Sequence, residues 1–206
     1  FFWTHPTNRA ASRGVYFRGR WMSDRQLDMG QLAPHGRYVH VYVNGTYWGQ
    51  HQLMERPDNA FMASYLGGNE AEYDAVNASL PVDCGLPTSP RCDVTRTTYN
   101  TLTSSVTLNN WETLQERMDV ENYADYMLLQ FYGGNDGGTN QNWMAATKRE
   151  GGDGFKFFSW DRDAILRTRP NANVVSRGGP GGMWSNVIRH EEFRLILADR
   201  AQKHFF

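Results

Sequence analysis

An α+β fold is predicted by three stretches of the chain. "RYVHVYVNGTYWGQHQL" alternates residue types on either side of an Asn-Gly pair. "DVENYADYMLLQFYGG" repeats apolar residues at helical spacing, and "NWMAAT" with "FKFFSWD" gives two short apolar runs divided by glycines. Period-2 alternation marks strands, and recurrence every three to four residues marks an amphipathic helix.

Taken in order, residues 15–30 mix apolar and charged positions at roughly helical spacing, with Gly30 placed to stop a helix. In the next segment Val39, Val41 and Val43 alternate with Tyr38, His40 and Tyr42, and Asn44-Gly45 supplies the tight turn of a β-hairpin whose second strand returns through Leu53. Glu55-Arg56-Pro57-Asp58 breaks that strand, and Asp58 or Asn59 is placed to cap a short helix ending before Gly67-Gly68. Residues 75–110 read as a polar, irregular surface insertion. From Asp119 a helix places Val120, Tyr123, Met127, Leu128 and Phe131 on one face and ends at Gly133-Gly134. "NWMAAT" and "FKFFSWD" follow as strands joined by the Gly-rich turn 151–154. The closing segment is a helix with Phe193, Ile196, Leu197 and Ala201 on its core stripe. Tryptophans 21, 48, 143, 160 and 184 are expected to pack in the core or between lobes, and His35 and His40 to be structural.

Lys and Arg number 21 against 22 Asp and Glu, with no basic stripe, which argues against a nucleic-acid partner. No run approaches the roughly 18 apolar residues a membrane span needs. The chain opens on Phe1-Phe2-Trp3 without Met and closes on His204-Phe205-Phe206 inside the last helix, and so reads as a piece of something larger. Cys84 and Cys92 lie in the Pro/Gly-rich "VDCGLPTSPRCDV". They can close a small disulfide ring, which would suit an oxidising compartment, or stand as two unpaired thiols. "NGT" at Asn44 and "NAS" at Asn77 match glycosylation sequons, the first better explained as the hairpin turn.

The chemistry concentrates in "GGNDGGTNQNWMAATKREGGDGFKFFSWDRD". The long helix delivers the chain to the loop 135–142, and the strand pair returns it to Asp161, so Asp136, Asn140 or Asn142, and Asp161 are expected to converge. Carboxylate and carboxamide are hard oxygen ligands suited to Mg²⁺, which keeps several waters and binds substrate phosphates. Protein kinases use a related order: a catalytic-loop Asp, an Asn five residues later, then a metal-binding Asp after a following strand.

"HGRYVHVYVNGTYWGQHQLMERPD", "NYADYMLLQFYGGND", "NQNWMAA", "FKFFSWD" and "EFRLILADRAQKHFF" together resemble the CotH kinase family, the spore-coat CotH proteins and their bacterial relatives. The resemblance implies an atypical, secreted-type protein-kinase-like fold, mostly hinge and C-lobe with the N-lobe incomplete, as a single domain over residues 1–206. It implies ATP and Mg²⁺ as cofactors, Ser/Thr phosphorylation of a surface or coat protein, and an extracytoplasmic address. Carried over, Asp161 matches the metal-binding aspartate and Asn142 the catalytic-loop asparagine. Glu55 falls at the nucleotide edge, and Asp136 is the one acid available as catalytic base. Asp24 is a candidate partner for a phosphate-anchoring lysine, which would lie upstream of Phe1. The family loop carries acids and tryptophan, "DWD", before "NW". Here Gly137, Gly138 and Thr139 intervene, and Asp136 stands six residues ahead of Asn142. That departure leaves a catalytically inert pseudokinase acting as a surface binding scaffold as the alternative. A third reading is a glycosidase using Asp136 and Asp161 as its carboxylate pair.

Overall fold

A computed structural model describes residues 17–78, 81–82, 90–134, 141–162, 165–166, 175 and 178–206. Helix α1 (Arg18–Asp28) is followed by β1 (Gly36–Val43) and β2 (Thr46–Met54). Asn44 and Gly45 both take positive φ, 48° and 79°, the backbone that suits a two-residue hairpin turn. The hairpin is therefore where its sequence pattern puts it. One of its rings is not. Trp48, expected to pack, is 63% exposed, and Tyr42, Tyr47 and Leu53 are exposed as well. The two strands form a sheet of their own, in which only Val39 and Val41 of β1 are half-buried, so alternation alone did not place a core on either face.

After the hairpin, Asp58 caps α2 (Asn59–Leu66) by accepting the Phe61 N–H at 2.9 Å, and Gly67 at φ 80° ends it. Then come β3 (Tyr73–Asn77), β4 (Pro81–Val82), α3 (Pro90–Ser105), α4 (Trp111–Arg117), α5 (Val120–Gly133), β5 (Trp143–Lys148), β6 (Lys156–Ser159), α6 (Pro180–Val187) and α7 (Glu191–Phe205). The described residues within 75–110 are consequently not irregular: they hold most of a buried strand and a 16-residue helix. Its polarity hid both. Asp74 on β3 is fully buried, and Thr95 and Thr98 of α3 donate to its carboxylate at 2.8 and 3.1 Å, with Arg149 at 2.6 Å. A buried acid satisfied in this way docks a helix, whereas in sequence it reads as loop.

The antiparallel order is β4-β3-β5-β6. Ala75, Met144, Ala146 and Phe158 face Phe61 and Met62 of α2, while Val76, Trp143, Ala145 and Phe157 meet Leu102, Tyr123, Met127 and Phe193. Burial of both faces explains why β5 reads as a continuous apolar run.

Helix α5 begins with its Asp119 cap, which accepts the Asn122 N–H at 2.9 Å, and ends at Gly134 in the left-handed region. It packs on α1, α7 and β6, so burial extends beyond the expected stripe to Ala124, Tyr126, Leu129 and Gln130. Phe131, expected in that stripe, is 37% exposed and meets Trp184 edge-on. On α7, Phe193 is fully buried, Ile196, Leu197 and Ala201 are half-buried, and Arg200 turns inward. Its Nε donates to Asp125 Oδ1 at 2.8 Å, its Nη2 reaches Asp125 Oδ2, and Nη1 meets Glu121 at 2.7 Å.

Two substitutions test this packing. Gly154 sits at φ 81°, and a Cβ there would lie 2.4 Å from the Met118 nitrogen and 2.5 Å from the Arg117 carbonyl carbon. Gly154→Ala should cost about 2 kcal/mol or more in denaturant unfolding. Arg200→Ala leaves the Asp125 carboxylate buried and unpaired by its cation, and should cost about 3–5 kcal/mol by the same measurement.

Candidate functional site

Strands β5 and β6 run antiparallel with Trp143 opposite Ser159. The residue before β5, Asn142, and the turn after β6 therefore meet at one end of the sheet. Asn142 Nδ2 donates to the main-chain oxygen of Asp161 at 2.8 Å. Asp161 takes φ 49°, a left-handed conformation that Asp tolerates better than most residues but that still costs energy. Two of the residues chosen from the sequence are thus brought together. Among the described residues no hydrogen bond or ion pair engages the Asp161 carboxylate or the Asn142 Oδ1. Asp136 and Asn140 lie outside the described residues, as does Cys84 and the side chain of Cys92.

Three features hold this corner. Gln26 of α1 is fully buried; its Nε2 donates to the Phe157 oxygen at 2.6 Å and its Oε1 accepts the Ser159 N–H at 3.1 Å. Asn122 of α5, also fully buried, accepts the Phe157 N–H at 2.6 Å. Beyond Asp161, Ile165 packs with Met22, Met29 and Leu129, and the Leu166 N–H donates to the Gly133 oxygen at 2.8 Å.

Arg162 is fully buried beside Asp161 and donates from Nη2 to the Tyr126 hydroxyl at 2.8 Å, with its Cζ 5.8 Å from the centre of that ring. Among the described residues its Nε and Nη1 have no hydrogen-bond partner. Burial lowers the Arg162 pKa, an effect that Tyr126 and Asp161 oppose. A buried cation short of acceptors is costly.

Glu55 belongs to a different cluster. Its Oε2 accepts the His35 main-chain N–H at 2.8 Å, and the Tyr65 hydroxyl donates to its Oε1 at 2.8 Å. His35 Nδ1 also lies 3.2 Å from Oε2. Burial alone would raise the Glu55 pKa, but the His35 N–H, the Tyr65 hydroxyl and the His35 ring together bring it below its usual value. No hydrogen bond or ion pair joins Glu55 to Asn142 or Asp161. Asp24, a candidate lysine partner, is bound by Arg20 one turn earlier, with Nε to Oδ1 at 2.8 Å.

Among the described residues no three His, Cys, Asp or Glu side chains gather to hold a metal. One carboxylate and one carboxamide on adjoining backbone are nevertheless the sparse hard-oxygen set that suits Mg²⁺, which takes few protein ligands and keeps waters. The donors present are compatible with a magnesium–nucleotide group.

A sequence profile of the CotH kinase protein family matches residues 14–204. The chain belongs to this family. No curated protein matches it at significant similarity. The CotH match runs from before α1 almost to the end of α7, and so includes the hairpin, α3, Asn142 and Asp161 in one span. Within this CotH kinase family chain, sequence reasoning missed Gln26, Asn122 and Arg162. An uncharged amide in an amphipathic helix reads as surface. Arg162 carried one signal, an arginine placed directly after the aspartate of an apolar strand end.

The Glu55 cluster has a testable pH signature. Because the folded-state pKa lies below the ordinary 4.5, the carboxylate favours the folded protein at and above that pH and ceases to do so as pH falls through the folded value. The stability difference between parent and Glu55→Gln should be present at neutral pH and vanish in that acid range, as read by thermal unfolding against pH.

Proposed function

We propose that the protein is an ATP- and Mg²⁺-dependent kinase-like phosphotransferase acting on Ser or Thr of secreted or surface proteins. Membership of the CotH kinase family supports the kinase-like class. The single observation that carries the site is the Asn142 amide bound to the Asp161 main chain at 2.8 Å, with neither side-chain oxygen group hydrogen-bonded or ion-paired among the described residues. In this reading Asp161 and Asn142 hold Mg²⁺, and Arg162 lends positive charge beside them. Glu55 lies at the nucleotide edge. Magnesium, when bound, neutralises charge on the phosphate oxygens.

Asp136 is the base in this scheme. The Ser or Thr hydroxyl gives its proton to the Asp136 carboxylate, its oxygen forms the new bond to the γ-phosphorus, and ADP leaves with the bridging oxygen. The six-residue spacing from Asp136 to Asn142, with two glycines between them, favours one second reading: a binding scaffold that holds nucleotide without transferring phosphate. The spore-coat character of the family supports an extracytoplasmic address. Among the described residues no helix is long and apolar enough to cross a membrane.

Titration calorimetry with ATP should show binding only when Mg²⁺ is present, and Asp161→Ala should weaken it at least about 100-fold. Radiolabelled ATP with a generic Ser/Thr substrate separates the two readings. A kinase loses transfer but keeps binding in Asp136→Asn, whereas a scaffold binds without transfer in parent and variant alike. Parent protein that binds no ATP with Mg²⁺ present overturns both.

A further inference from the structure

The geometry points to Gln26, seconded by Asn122, as a positioning residue for the Asp161–Asn142 ligand pair, coupling helix α1 to the metal end of the site. The inference rests on the Mg²⁺–nucleotide reading above and adds to it the part of the fold that holds the ligand in place.

Among the described residues strand β6 is the last in its sheet, paired to β5 on one side only. Its other edge would present unpaired main-chain groups. Gln26 and Asn122 close that edge with side chains. The Gln26 amide gives one donor to Phe157 and takes one from Ser159, at 2.6 and 3.1 Å. These are the groups two residues apart that a neighbouring strand residue would address. Asn122 takes the remaining Phe157 N–H at 2.6 Å, and its own Nδ2 donates to Gln31 Oε1 at 3.3 Å.

Both amides are fully buried, where an apolar side chain would be cheaper unless the hydrogen bonds were required. Ser159 is the last residue of β6 and stands two residues before Asp161. A shift of Ser159 passes through Trp160 to a residue already held at positive φ. Asp161 is therefore fixed from two directions, by Asn142 on the β5 side and by Gln26 on the α1 side. Misplacement of a reacting or ligating group by about 1 Å can cost 100-fold in rate. The same Gln26 bonds, attached to a helix rather than a strand, make the placement of α1 a condition for the placement of the ligand.

The test compares the full chain with Gln26→Leu and Asn122→Leu, using Leu114→Ala in α4 as a control that loses core packing but makes none of the side-chain hydrogen bonds to the β6 main chain. Hydrogen–deuterium exchange over residues 157–161 reads the clamp itself, and calorimetric affinity for ATP at varied Mg²⁺ reads the ligand pair. Both Gln26→Leu and Asn122→Leu should raise exchange in that segment and weaken Mg²⁺-dependent ATP binding about 10-fold or more. Leu114→Ala, although destabilised, should keep the parent affinity. Unchanged affinity in a folded Gln26→Leu variant overturns the inference while leaving the nucleotide reading intact. So does an equal loss of affinity in Leu114→Ala. Parent protein that binds no Mg²⁺ and ATP overturns both together. Should Gln26→Leu not fold, Gln26→Asn, one methylene shorter and still polar, takes its place: weakened affinity with raised exchange supports the clamp, and parent-like affinity overturns it.

Discussion

Asp125 is a carboxylate in the middle of a helix with no exposure to solvent, and its placement constrains everything around it. A charge in that position must be met by a cation and hydrogen bonds or the helix cannot be buried there. Arg200 of α7 reaches it with two nitrogens and also donates to the Met29 oxygen at the end of α1. Gln31 donates to the same carboxylate at 2.7 Å and accepts from Asn122. One buried acid thereby joins α1, α5 and α7, and the chain of contacts continues through Asn122 to the main chain of β6. The corner at Asp161 is the far end of a path that begins at an ion pair.

The corner itself combines order and tension. Asn142 binds the Asp161 main chain, and that residue adopts a backbone unusual for anything but glycine. Strained backbone survives where surrounding structure over-determines it. Here that structure is β5 on one side, the α1 amide on the other, and Ile165 seated in a pocket beyond. The next residue, Arg162, is a buried guanidinium with two nitrogens that find no hydrogen-bond partner among the described residues, so the cost stored at this corner is electrostatic as well as conformational.

Much of the architecture was legible in the residues. The hairpin follows from an Asn-Gly pair with both φ positive, α2 and α5 from aspartate caps whose side chains accept main-chain N–H groups, and the strand pair from two apolar runs divided by glycines. The meeting of Asn142 with Asp161 followed from the same register. What stayed hidden depended on partners distant in sequence. β3 and α3 looked like loop because Asp74, Thr95 and Thr98 are polar, although each satisfies another in the interior. Trp48 and Phe131 looked like core because side-chain type does not say which face of an element finds a neighbour. Gln26 is 131 residues from the oxygen it binds, a pairing no local pattern encodes. Glu55 was readable as a strand-end acid, but its engagement with His35 and Tyr65 was not.

The frame around Asp161 is built from neutral amides rather than ions, and this has a consequence for the conditions in which the protein can operate. Carboxamides do not titrate, and fully buried dipole contacts are little affected by dissolved ions, whereas exposed charge pairs weaken within a Debye length of about 8 Å in physiological saline. Salt or moderate acid reaches these amide contacts only indirectly, through the buried Asp125–Arg200 pair that stands behind Gln31 and Asn122. Sensitivity to surroundings is left to the groups that carry charge, while the mount beneath them keeps its shape.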